Sequence, residues 1–319
     1  MGLLILKSRL RGSRKLKKDI LITSSRKRRN ERIIHSFLFI VAFSSIIILM
    51  AISIFLIKEG VPIFKEVSVK DFVFGHCWYP TSDPPDFGIF PLIMASVDVT
   101  ALATIIAVPL GLLTAIYLAE CASPSVRQVV KPLVELIAAF PSVVIGFFGM
   151  VVVAPFLQST FNIPTGLNLF NAALMLSFMS VPTICSLSED AIYAVPKELK
   201  EASLALGATH WETIIRVTLP ASISGISTAV ILGMSRAIGE TMVVLMVAGG
   251  AALIPSSIFD PVRPMPASIA AEMAEAPYGS NHYHALFAIG IVLFFMTFVF
   301  NFIADRISKR YRQVGAATL

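Results

Sequence analysis

Apolar runs long enough to cross a lipid bilayer recur along this chain, and nothing else in it restricts the fold as tightly. Hydrocarbon roughly 30 Å thick is crossed by about 20 helical residues. Runs of that order occupy residues 33–57, 89–118, 129–157, 169–195, 221–249 and 284–307. Lipid offers backbone N–H and C=O groups no partner, so each run must satisfy its own hydrogen bonds as a helix. Composition agrees, since 56% of the 319 residues are hydrophobic and 14% are charged, where about a quarter is usual for a soluble domain. The expected fold class is an all-α integral membrane protein with six transmembrane helices, and a single soluble core is excluded.

Basic residues orient the spans. The first 32 residues hold twelve Lys or Arg against Asp19 and Glu31. Directly ahead of an apolar run, such a tail reads as a cytoplasmic anchor in contact with anionic membrane lipid rather than as a nucleic-acid binder. The run behind it is too long for a signal-peptide core and has no small-residue cleavage site, so it reads as a retained helix. With the N-terminus inside, 21 of the 26 Lys and Arg fall on the cytoplasmic side, and only Lys58, Lys65, Lys70 and Arg263 fall outside. The chain then divides into a basic tail (1–32), a first transmembrane helix (33–57), an external loop (58–88), a core of five helices (89–307) and a cytoplasmic C-terminus (308–319). The external segments, rich in proline, are expected to be irregular or short helical stretches without a folded domain. Cys77, Cys121 and Cys185 are far apart and read as packing residues, and the His282/His284 pair has no companion ligands, so no metal site is expected.

One cytoplasmic segment, 196–220, is too polar to span and too helix-prone to be a linker. Pro196 suits a first helical turn, Gly207 a C-terminal break, and Thr209 with Glu212 has the spacing of a capping box that restarts a helix, which Pro220 is expected to end. Leu204, Leu206, Trp211 and Ile214 could give this helix pair an apolar face for docking in a groove of another protein or for lying in the lipid interface.

These residues resemble a known family. Glu201-Ala202-Ser203, followed by Gly207-Ala208 and then Leu219-Pro220, is similar to the coupling loop of the permeases of type I ABC importers, with Ser203 in place of a third small alanine. Pro141-Ser-Val-Val-Ile-Gly-Phe-Phe-Gly149, Ser235-Arg-Ala-Ile-Gly-Glu-Thr241 and Leu286-Phe-Ala-Ile-Gly290 narrow the resemblance to phosphate-specific permeases of the C-type subunit, over about residues 38–307. The resemblance implies a dimer of ATP-hydrolysing subunits that receives the loop, a second, related permease subunit, and an extracytoplasmic phosphate-binding protein. It implies no enzyme activity in this chain; the sequence has no Gly-Lys pair and hence no P-loop, so ATP and magnesium would be bound by the partner. Import of another oxyanion (molybdate, sulfate, phosphonate) is the nearest alternative. An ion-coupled secondary transporter would lack a partner for the 196–220 loop, and no catalytic constellation supports a membrane-embedded enzyme.

Arg236 is the one Lys or Arg that this assignment leaves within the membrane rather than on a side of it. A charge at that depth should face protein or a water-filled path. Lying four residues from Glu240 on the expected fifth helix, it is expected to pair with it along one face. The alternatives are a structural ion pair, or a site where Arg236 meets the permeating anion through two parallel hydrogen bonds while Glu240 keeps it oriented and prevents over-tight binding. Asp98 and Glu135 are weaker candidates near the membrane edges, and Glu189 and Asp190 read as the point where the fourth span leaves the membrane. Pro109, Pro141 and Pro182 are expected to kink three spans, and Gly146 and Gly149 to permit close helix contact.

Overall fold

A computed structural model describes residues 34–316 of the chain, so the basic tail at 1–32 lies outside the described residues. The chain divides into two compact units, Met1–Leu56 and Ile57–Leu319. What is described of the first is helix, with apolar side chains such as Phe39, Ile46, Leu49 and Ile54 exposed on every face. An isolated helix that is apolar all round belongs in lipid or against another membrane helix. Six helices in the described residues are long and apolar enough to cross a membrane.

The first of these, α1 (Ile34–Lys65), is followed by a short helix α2 (Val69–Phe74) whose N-terminus is capped by Ser68. A two-stranded antiparallel hairpin, β1 (Trp78–Tyr79) and β2 (Asp86–Phe87), places Trp78 opposite Phe87. Then come α3 (Phe90–Cys121), α4 (Pro124–Ala138), α5 (Ser142–Phe161), α6 (Leu169–Tyr193), α7 (Lys197–Ala205), α8 (His210–Ile238), α9 (Met242–Val247), α10 (Met265–Glu272) and α11 (Asn281–Ala316).

Helix α6 is the most buried span and packs against both α3 and α8. Lipid tails are as apolar as the side chains they would exchange with, so association of such helices depends on close van der Waals fit at small residues. Ile184 of α6 supplies that fit. A Cβ added at Gly111 of α3 would lie 2.9 Å from its Cγ2, and one at Gly233 of α8 would lie 2.6 Å from its Cγ1. The same device brings α5 against α9, where Gly146 faces Met246 and Gly149 faces both Met175 and Val247.

Three expectations are corrected. The third span runs over Ser142–Phe161 rather than 129–157, because the chain breaks at Pro141, whose extended backbone (φ −58°, ψ 135°) starts a new helix. Residues 124–138 form the separate amphipathic helix α4, and Glu135 lies exposed on it. Pro109 and Pro182, by contrast, are accommodated within continuous α3 and α6. Pro220 does not end a helix: a π-turn over Ile214–Thr218 precedes it, and the helix begun at His210 continues to Ile238. A wider turn shifts the hydrogen-bond register just where a residue without N–H enters.

The loops around 58–88 and 250–283 are also better ordered than their proline content suggests. Ile63, Phe72, Trp78, Phe87, Met265 and Leu286 close a buried apolar cluster, and Gly75 touches Gly88 so closely that a Cβ at Gly88 would lie 2.4 Å from the Gly75 carbonyl carbon.

Replacing Gly111 by Ala is expected to cost about 1–3 kcal/mol of stability through overpacking against Ile184. Thermal unfolding of the detergent-solubilised protein should show that loss, with part of it recovered when Ile184→Ala is added.

Candidate functional site

Helix α7 and the turn after it form a projection at one end of the bundle. Pro196 starts α7 and Leu206 closes it; Gly207 then adopts φ +87°, a left-handed conformation that an L-residue resists. Thr209 restarts the chain as a full capping box: its side chain accepts from the Glu212 N–H, and the Glu212 carboxylate accepts from the Thr209 N–H at 2.9 Å. Between the two helices Leu206 is left 90% exposed, and an added Cβ at Gly207 would meet nothing within 4 Å. Leu204 and Trp211 are exposed beside it, whereas Ile214 is buried in the α8 base and Ile215 takes the outward position instead. Glu201 and Ala202 are exposed, Ala208 and Leu219 are half-buried, and Pro220 is exposed. An apolar tip this bare, held rigid by a Gly turn and a capping box, has the form of a docking element.

Polar contacts fasten the projection to the bundle. Ser203 Oγ lies 2.9 Å from Thr213 Oγ1 of α8, and Lys200 Nζ reaches Glu120 Oε1 at the end of α3 over 2.5 Å. His210 Nε2 is 3.3 Å from the Glu120 carbonyl oxygen. Next to this, the Glu189 carboxylate of α6 is 1% exposed and is held by Arg127 and, at 2.5 Å, by Lys131 of α4. Lys131 also reaches Asp190 at 2.9 Å, and the Arg127 guanidinium stacks over Tyr193. Glu189 and Asp190 thus do more than mark a helix end. Burial alone would push the Lys131 pKa down, but hydrogen bonds and charge from Glu189 and Asp190 outweigh it and raise the pKa. The stabilisation from that shift is complete below the ordinary Lys value of 10.5 and fades only as pH rises through the raised one, so the pair persists across the physiological range. A cleft of about 660 Å³ opens beside it, lined by Leu118, Arg127, Gln128, Lys131, Glu135 and Tyr193.

Arg236 stands in the last turn of α8 on an exposed stripe with Thr228 and Leu232, beside the buried stripe Ile226, Ala229, Gly233 and Ala237. Its expected pairing with Glu240 does not form. The helix stops at Gly239, and the Glu240 carboxylate turns to accept the Thr241 and Met242 N–H groups at 3.2 Å each, capping α9. Unbonded amides at a helix start attract a carboxylate, and that geometry wins over the (i, i+4) alignment, which needs an unbroken helix. Among the described residues Arg236 makes no ion pair. Ser235, its neighbour, bonds Asn301 of α11 at 2.5 Å.

At the opposite end of the bundle, Glu272 of α10 gathers three elements. Its carboxylate accepts from Trp78 Nε1 at 3.0 Å and from Arg263, and lies 2.8 Å from His282 Nε2. Glu120 and Glu272 escaped the reading of the sequence, and Glu189 was read only as the end of a span. Glu120 and Glu189 have their cations 80 and 58 residues away, beyond any local spacing rule.

The family model described as "Binding-protein-dependent transport system inner membrane component" matches residues 107–313. A probable ABC transporter permease protein of Bacillus subtilis, YqgH, is 40% identical over 82% of this chain and 85% of its own length. The phosphate transport system permease protein PstC of Mesorhizobium japonicum is 36% identical over 72% of this chain and 75% of its own, and that of Haemophilus influenzae 30% over 87% and 94%. Among solved structures, a bacterial alginate ABC transporter in complex with its periplasmic protein aligns with TM-score 0.63 at 16% identity, covering 88% of this chain and 96% of its own. The MetNI methionine ABC transporter in an inward-facing form gives TM-score 0.56 at 19%, covering 70% and 95%. At such identities the last two speak for the fold alone.

Removing the buried carboxylate with Glu189→Ala is expected to cost about 2 kcal/mol, less than the roughly 3–5 kcal/mol for a fully buried pair, because Arg127 and Lys131 keep partial hydration. The loss should appear as a lowered midpoint in a thermal melt, with α-helical content unchanged at low temperature.

Proposed function

Because the chain belongs to the family of binding-protein-dependent transport system inner membrane components, we propose that it is a permease subunit of an ATP-driven importer that carries inorganic phosphate across the cytoplasmic membrane. The observation that carries the substrate is the 36% identity to a permease named for phosphate transport. The placement of Arg236 supports the same reading. An exposed guanidinium on a spanning helix must face water or protein rather than lipid, and a guanidinium is the side chain best matched to a phosphate oxyanion. Arg236 offers itself to the permeating anion alone, since Glu240 is engaged with α9. A second, related permease subunit would cover the stripe that bears Arg236.

The projection at Lys197–Ala205 and its turn is the surface for an ATP-hydrolysing subunit, with Leu206 and Trp211 entering a groove and Glu201 at its rim. ATP and magnesium belong to that partner. A phosphate-binding protein of the extracytoplasmic side delivers substrate to the end bearing the Glu272 cluster. This orientation, with both termini cytoplasmic, is supported by the 21 of 26 basic residues it places inside.

Two measurements test this. In cells lacking the chain, wild type is expected to restore uptake of radiolabelled phosphate at micromolar concentration, while Arg236→Ala at matched membrane levels lowers it by roughly 10- to 100-fold, the worth of a charged hydrogen bond. Full uptake by Arg236→Lys would sink the two-bond contact, and competition by molybdate or sulfate at equal concentration would sink phosphate as the substrate. Leu206→Asp is expected to abolish co-purification of the ATPase subunit without lowering the yield of the permease.

A further inference from the structure

The projection is fastened in an unusual way. Helix α7 has no fully buried residue, and only Leu199, Lys200 and Ser203 of it are half-buried, so little apolar packing holds it to the bundle. Among the described residues, two side-chain contacts tie it to other elements, one to α8 through Ser203 and Thr213 and one to α3 through Lys200 and Glu120. The α8 tie joins neighbours across a short turn. The α3 tie joins residues 80 positions apart, with the Glu120 side chain 6% exposed and that of Lys200 21% exposed.

We propose that the Lys200–Glu120 ion pair is the link through which displacement of the docking projection is passed to α3, which makes both residues positioning residues for transport. The proposal rests on the reading of α7 and its turn as the ATPase docking surface. A carboxylate this buried is costly to leave without its cation, so a displacement of α7 pulls Glu120 with it rather than breaking the pair. Glu120 sits in the π-turn Tyr117–Cys121 that closes α3, and His210 holds the carbonyl of the same residue, so pull from the projection converges on one turn. From there the path is stiff: Leu118 and Ala115 are buried against Cys185, Ile192 and Ile226, and a turn farther along Gly111 abuts Ile184 of α6. The pull therefore reaches α3 and α6 together, while the Ser203 contact moves α8, the helix that carries Arg236.

The test uses the whole importer in proteoliposomes, with three readouts: ATPase subunit retained on the permease, ATP hydrolysed, and phosphate imported per ATP. Glu120→Gln and Lys200→Met are expected to keep the ATPase bound, and Glu120→Gln to keep it hydrolysing, while phosphate imported per ATP falls by roughly 5- to 10-fold, a coupling loss of ordinary size. Lys200→Arg, which keeps the charge, and the reversed pair Lys200→Glu with Glu120→Lys are each expected to restore most of the ratio. A wild-type ratio in both neutral variants overturns the proposal, as does a lowered ratio that neither Lys200→Arg nor the reversed pair restores, since that marks a merely structural role. Loss of the ATPase from Lys200→Met alone places Lys200 in the docking contact and also overturns it. A wild-type permease that retains no ATPase overturns the docking reading itself, and the link with it.

Discussion

Helices in hydrocarbon are obliged to exist before they are obliged to meet. Lipid compels each apolar run to satisfy its own backbone, but it gives the helices no hydrophobic reason to associate. Association here depends on fit at a few small residues. Ile184 lies where Gly111 of α3 and Gly233 of α8 leave no side chain, and through it α6 becomes the axis on which the other two helices lean. Glu120 and Glu189, at one end of the bundle, sit on two of those three helices.

At the ends, carboxylates take over from packing. Glu120, Glu189 and Glu272 each accept groups from elements remote in sequence, and each is shielded from water to some degree. Buried ion pairs of this kind contribute little net stability relative to apolar packing, yet they penalise any rearrangement that parts them. The α7 projection shows this most clearly, because none of its residues is fully buried while Leu206 and Trp211 beside it stay exposed.

Much of this was legible in the chain. Four of the spans, the Pro196 start, the Gly207 break and the Thr209–Glu212 capping box are local patterns, each set by residues within one or two turns of each other. The misreadings came where two local rules competed. Residues 129–141 are apolar enough to join the span that follows, but Pro141 forbids the helix to continue through it. Arg236 and Glu240 have pairing distance on a helix, but Gly239 ends the helix between them, and the free amides of α9 claim the carboxylate.

The sequence by itself determined that the chain would be helices in a membrane and where the 196–220 loop would break and restart, because periodicity and capping act over a few residues. Only the tertiary structure decided which carboxylates gathered remote cations and which side of α8 was left bare. Those outcomes depend on contacts between residues 50 or more positions apart, such as Lys131 with Glu189 and Lys200 with Glu120. No spacing along the chain encodes such a contact, since it comes into being only when Ile184 and its glycines have set the helices at their final separation.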